Sequence, residues 1–211
     1  MASAVNKVAG GNPGAAKSTR GPAFEAKRMD ILRGAALLFA ENGYHKTSVN
    51  MLSEKLGISK PVLYYYAENK DDILQQISAI SRDQLRVAME RAQRTKLSGI
   101  GKLRHFFMAY TEIMCSDLGR CFALVERNGM SPGARDNDTA GRRQIDTAVR
   151  DIIVEGQAEG SIARCSPELA TRALFGAFNA IPRWYKEGGA FDARDVAEAY
   201  IDFFVTGLGR G

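Results

Sequence analysis

Residues 47–66, Thr47-Ser-Val-Asn-Met-Leu-Ser-Glu-Lys-Leu-Gly57-Ile-Ser59-Lys-Pro-Val-Leu-Tyr-Tyr-Tyr66, decide how this chain folds. Thr47 or Ser48 can cap a short helix carrying Met51, Leu52 and Leu56, and Ser59 can cap a second one through Tyr66. Gly57 permits the tight turn between them. Two short helices joined at Leu56-Gly57-Ile58, the second with its start exposed, are the layout of a helix-turn-helix. Met51, Leu52, Leu56, Ile58 and Leu63 supply its packing. That leaves Ser59, Lys60, Pro61, Tyr64, Tyr65 and Tyr66 on a helix that a core alone would not fill with hydroxyls and a cation. In a major groove entered N-terminus first, Ser59, Lys60 and Pro61 would lie nearest the base edges, and the tyrosine hydroxyls further along would reach phosphates. Lys70, at the start of the next helix, adds a point charge for the same backbone. Taken singly, each of these residues also suits a half-buried aromatic or solvated face, and it is their spacing that joins them.

On the N-terminal side, Ile31, Leu32, Ala35, Leu38 and Phe39 recur at helical intervals within Phe24 to Asn42, and Asn42-Gly43 supplies the stop. Residues 1–22 are rich in Gly, Ala, Ser, Asn and Pro with no apolar periodicity, and read as a disordered basic arm. Lys17, Arg20, Lys27 and Arg28 would let such an arm track a phosphate backbone or enter a minor groove. Its fragment Gly11 to Ser18 approaches a phosphate-binding loop, yet Ala16 replaces the glycine before Lys17 and no strand precedes it.

On the C-terminal side, Asn69 with Asp71 and Asp72 opens a long helix running to about Thr95. Helical periodicity continues in Leu103 to Cys115, Arg120 to Asn128, Thr139 to Glu159, Pro167 to Lys186 and Ala193 to Leu208. Gly129 to Asp138 is the most loop-like interior stretch. No segment alternates with period two. The expectation is an all-α chain: a three-helix DNA-binding domain with a helix-turn-helix over 23–70, then a second helical domain over 71–211.

Bulk properties narrow the function. The chain has 211 residues, 45% of them hydrophobic, and a formal net charge of +5, which favours a polyanionic partner. No run nears the roughly 20 apolar residues of a membrane span, and no secretory signal opens the sequence, so a cytoplasmic, nucleoid-associated protein is expected. Cys115, Cys121 and Cys165 fall in no disulfide or metal-ligand spacing. His45 and His105 are the only histidines, and no nucleophile motif or complete phosphate loop accompanies them. An enzyme is therefore disfavoured; no catalytic residue, metal or cofactor is expected.

From Ile31 to Leu74 the chain resembles the DNA-binding domain of the TetR family of regulators. Phe39 to Tyr44, Thr47-Ser48-Val49, Leu56-Gly57-Ile58-Ser59, Leu63-Tyr64-Tyr65-Tyr66 and Lys70 to Ile73-Leu74 each match part of that family's pattern. The resemblance implies that Ser48 and Val49 begin the helix lying against the DNA backbone and that Ser59, Lys60 and Pro61 approach bases. It implies that Tyr64, Tyr66 and Lys70 hold phosphates. Tyr66 stands where histidine is common, Ala67 where phenylalanine is usual and Pro61 where glycine is frequent. Proline suits a first helical turn but removes a backbone donor from the DNA face.

The family also implies that 71–211 is a helical ligand-binding and dimerisation domain, with an apolar effector cavity among its helices. Phe106, Tyr110, Met114, Phe122, Phe178 and Trp184 are the candidate lining, since Met and aromatic side chains suit a greasy ligand. Phe175 to Gly189, with its Arg-Trp-Tyr and Gly-Gly, is similar to TetR-type regulators of lipid or steroid breakdown. An acyl-CoA or another lipid-derived effector would then set its anionic part on Arg183 or on the Arg142-Arg143 pair. The last two helices are apolar over more than one face, which implies a homodimer through them and a near-palindromic operator read by two heads about 34 Å apart. A repressor whose long helix tilts on ligand binding is the mechanism expected.

Overall fold

The computed structural model describes residues 21–125 and 132–206. Among them the chain is helical with no strand: α1 Pro22–Asn42, α2 Val49–Leu56, α3 Lys60–Tyr66, α4 Lys70–Arg94, α5 Gly99–Cys115, α6 Asp117–Leu124, α7 Pro132–Ala158, α8 Pro167–Phe178, the single turn α9 Ile181–Trp184 and α10 Ala193–Thr206. The basic arm expected over 1–22 lies almost wholly outside the described residues.

Local chemistry fixes most boundaries. Ser48, Ser98, Ser116 and Ser166 each accept a backbone N–H three residues on, from Met51, Gly101, Gly119 and Leu169, and so start α2, α5, α6 and α8. Asn69 does the same for α4, accepting from the Asp72 N–H at 2.9 Å. Gly57 ends α2 at φ +62°, a left-handed conformation that costs glycine nothing.

Two expectations are corrected. The loop read over Gly129 to Asp138 is helical from Pro132 onward, because a proline is comfortable in the first turn of a helix and starts α7 rather than interrupting it. The helix read from Pro167 to Lys186 stops at Phe178. Pro182 lacks the N–H that would bond the Phe178 carbonyl, and α9 restarts with that proline in its first turn.

The apolar faces assemble into two cores. One joins α1, α2 and α3 through Ile31, Leu32, Phe39, Leu52 and Leu63, and takes in Ile73, Leu74 and Ile77 of α4 with Leu118 and Cys121 of α6. The other gathers Leu85 and Met89 of α4, Phe106 and Phe107 of α5, Phe122 of α6, Val149 and Ile152 of α7, Phe178 of α8 and Ile201 of α10. Helix α4, 25 residues and roughly 37 Å long, therefore runs through both. Helix α6 also belongs to both, through Leu118 and Cys121 in the first and Phe122 in the second. Among the described residues no helix is long and apolar enough to cross a membrane.

Candidate nucleic-acid interface and effector pocket

In α3 only Leu63 is buried; Val62, Tyr64 and Tyr65 are 41%, 49% and 66% exposed. Three large side chains left in solvent on seven residues are not explained by packing, whereas a groove-reading helix requires them. Ser59, Lys60 and Pro61 are exposed at its start, and the Ser59 hydroxyl makes no cap bond. Ser48 is exposed and Val49 half-buried at the start of α2.

Two of the expected phosphate contacts hold the head together as well. Tyr66 is half-buried and stacks on Phe24 of α1 with ring centroids 4.7 Å apart, while its carbonyl accepts from Gln76 of α4. Arg28 of α1 donates to the same Gln76, at 2.8 Å, so that one amide ties α1, α3 and α4. Lys70 turns inward: its ammonium donates to the carbonyls of Tyr44 and Thr47 at 3.0 and 3.1 Å and lies 4.2 Å from the Tyr44 ring centroid. One of its three N–H groups is left for anything else.

A cavity of about 850 Å³ lies between α4 and α7, with α5, α6 and α8 contributing to its lining. Its apolar wall comes from Leu85, Met89, Tyr110, Phe122, Ile145 and Phe175. The Tyr110 hydroxyl donates to Asn179 Oδ1 at 2.5 Å. Burial pushes the phenol's pKa up to about 12, with Arg142 pulling the other way, so Tyr110 stays a neutral donor. Four arginines also line it, Arg82 and Arg86 of α4 and Arg142 and Arg143 of α7, together with the acids Asp83, Glu90 and Asp146.

Of the expected lining, the structure brings Tyr110 and Phe122 to this cavity together with the Arg142-Arg143 pair. Phe106, Met114 and Phe178 are not among its lining residues; they sit fully buried in the second core, where their bulk packs α5 against α8 and α10. Arg183 and Trp184 are also displaced from it, because the break before Pro182 turns α9 away and leaves both exposed. Arg82, Phe175 and Asn179 were missed. Arg82 had a readable signal: it shares a helical face with Ser78, Leu85 and Met89, and an arginine on a buried face needs a partner.

Leu169 of α8 and Phe203 and Phe204 of α10 are 66%, 55% and 45% exposed, with Trp184 and Phe191 also open. These are large apolar side chains that the described residues leave uncovered.

A head built around a helix-turn-helix, carried on a long helix that also walls a ligand-sized cavity, defines a DNA-binding regulator with a sensing domain. The comparisons with known proteins name it further: the description "Bacterial regulatory proteins, tetR family" matches residues 31–77 and "Tetracyclin repressor-like, C-terminal domain" matches residues 96–208. The chain belongs to the TetR family of transcriptional regulators, whose members resembling it are regulators and not enzymes. It is 26% identical over 187 residues to the transcriptional repressor KstR2 of Mycolicibacterium smegmatis, covering 87% of this chain and 91% of that one. It is 28% identical over 204 residues to the transcriptional activator FasR of the same organism, covering 96% and 90%. Among solved structures, the regulator PfmR from Thermus thermophilus superposes with a TM-score of 0.78 at 32% identity, over 85% of this chain and 99% of that one.

Proposed function

We propose that the chain is a ligand-released repressor that binds a near-palindromic operator as a homodimer and leaves it when a largely apolar effector, an acyl-CoA or another lipid-derived molecule, fills the α4–α7 cavity. The observation that carries this reading is the double membership of α4 and α6. Ile73, Leu74 and Ile77 of α4 are in the head's core while Arg82, Leu85 and Met89 of the same helix face the cavity. Leu118 and Cys121 of α6 are in the head's core while Phe122 lines the cavity. A ligand that shifts either helix therefore shifts the head, and the operator-bound spacing of two heads becomes one population among two.

The contact set follows from exposure. Ser59, Lys60 and Pro61 meet bases, Tyr64 and Tyr65 phosphates, and Ser48 and Val49 set the start of α2 against the backbone, with Tyr66 and Lys70 adding what their structural duties leave free. The exposed apolar face of α8 and α10 pairs with its copy, which fixes the distance between heads at about one turn of duplex, ~34 Å. The lipid-type effector is supported by the cavity's chemistry: an aromatic and aliphatic wall with four arginines in the same lining. The head is assigned to 23–70 and the sensing domain to 71–211, sharing α4 between their cores.

The test is selection of bound duplexes from a random pool, with a Lys60→Ala/Tyr64→Ala variant beside the wild type; Lys70 is left alone because its loss would disturb the fold. The expected result is an enriched palindrome that the variant does not retain and that decanoyl-CoA releases. No enrichment at low salt would sink the reading. The likeness to an activator favours one second reading, in which ligand tightens operator binding, and the same titration run with ligand present separates the two by sign.

A further inference from the structure

Arg82 of α4 and Arg142 of α7 converge on one carboxylate. Asp138 is wholly buried, its Oδ2 accepting from Arg142 Nε at 2.9 Å and its Oδ1 lying 4.0 Å from Arg82 Nη1. That second separation is an ion pair and too long for a hydrogen bond. Arg82 Nη1 is itself shielded from solvent and finds no acceptor among the described residues. Such a donor costs free energy until an acceptor arrives.

Of the other charged residues lining the cavity, Arg86 is paired with both Asp83 and Glu90 and Asp146 with Arg150, while Arg143 adds a further cation. Two guanidinium groups, those of Arg82 and Arg142, converge on Asp138 beside an apolar wall, so among the described residues cations outnumber the carboxylate at this point. Arg142 also lies over the Phe122 ring, 4.9 Å from its centroid, so it is held at the junction of the charged and apolar parts.

We propose that the cavity selects an amphipathic anion whose negative group is taken by Arg82 and Arg142, and that Asp138 is the built-in counter-ion that sets how tightly that anion is held. The inference rests on the α4–α7 cavity being the effector site, as proposed above, and adds which chemical class it prefers and which residues decide that. Asp138 repels an incoming anion and partly neutralises its two partners, so it keeps the resting affinity low. An anion oxygen on Arg82 Nη1 supplies the acceptor that Asp138, at 4.0 Å, does not. Because Arg82 is on α4 and Arg142 on α7, the bound anion bridges the helix that carries the head to the one that does not.

A matched pair of dyes tests this: 8-anilinonaphthalene-1-sulfonate, and 1-anilinonaphthalene, which lacks only the sulfonate. Both are titrated into the full chain by fluorescence. Asp138→Asn keeps an acceptor for Arg142 and loses the charge, and it is expected to tighten the sulfonate by about tenfold, the order expected of one like charge in a partly buried site. Its effect on the neutral dye is expected to stay within about twofold. Arg82→Gln is expected to weaken the sulfonate about tenfold and spare the neutral dye, which also reports that the cavity is intact; Arg82→Lys should restore most of the loss. Displacement by decanoate or by decyl phosphate then tells a carboxylate from a phosphate head, either result supporting the proposal. Equal displacement by decanol, or a sulfonate affinity indifferent to both substitutions while the neutral dye binds, would overturn it and leave the effector pocket standing. Failure of both dyes to bind wild type would remove the pocket and the proposal together.

Discussion

Replacing Lys70 by methionine keeps an unbranched side chain out to Cε and removes the charge and the donors of Nζ. Two charge-assisted hydrogen bonds, to Tyr44 and Thr47 at 3.0 and 3.1 Å, disappear together with the contact to the Tyr44 ring. A hydrogen bond to a charged group contributes about 1.5–3 kcal/mol, and a half-exposed cation over an aromatic ring about 0.5–1. These terms overlap, and water reaches the half-buried site, so a net loss of about 2–4 kcal/mol is expected. For a chain of this length each kcal/mol lowers the melting temperature by about 2–4 °C, which makes the expected drop about 5–15 °C. Thermal melts followed by circular dichroism measure it. A Lys70→Met protein melting within about 2 °C of wild type would show that the inward-turned lysine does not hold the α1–α2 turn to α4. The same variant isolates the remaining N–H: if it also meets a phosphate, the slope of log affinity for the selected duplex against log salt should shrink by about 0.9 per protomer, and if not the slope is unchanged.

Three further outcomes are expected. In Gly99→Ala the new Cβ would stand 2.5 Å from the Gly156 Cα where α5 crosses α7, so the helices must part, at a cost of about 1–3 kcal/mol in a denaturant melt; an unchanged midpoint would mean the crossing is not tight. Burial pushes the Cys115 thiol up to about 11 and Cys121 up to about 12, so both are almost wholly protonated at pH 8. Iodoacetamide at that pH should label exposed Cys165 first and Cys121 only on unfolding, and peptide mass spectrometry showing early Cys121 alkylation would contradict its place in the head's core. Leu169→Glu, on the exposed face of α8, should shift the chain from dimer to monomer in sedimentation velocity without lowering dye binding; a dimer that persists would move the interface elsewhere.

Much of this architecture was written in local chemistry. Ser48, Gly57 and Asn69 mark helix ends by the hydrogen bonds or backbone angles they supply, which is why the head is legible residue by residue. Sequence and structure part where one residue type has two meanings. Pro132 among Gly, Asp and Asn reads as loop, though proline opens a helix as readily as it ends one, and Pro182 lies inside an apolar run that it divides. The cavity was harder. An apolar face looks the same in sequence whether it meets a neighbouring helix, as Phe106 and Phe178 do, or an empty space, as Phe175 does in part, because the difference lies in the helix opposite. Arg82 and Asp138 are 56 positions apart, and only the crossing of α4 and α7 makes them partners.

The eight residues of α6 impose a limit on how such a protein can change its ligand. Phe122 touches the cavity and its chain neighbour Cys121 touches the head, on a helix too short to bend between them. Ile145 and Phe175 line the same cavity from helices outside the head's core. Variation in what the protein senses should accumulate on α7 and α8, while α6 stays fixed as the part that both halves of the molecule have to agree on.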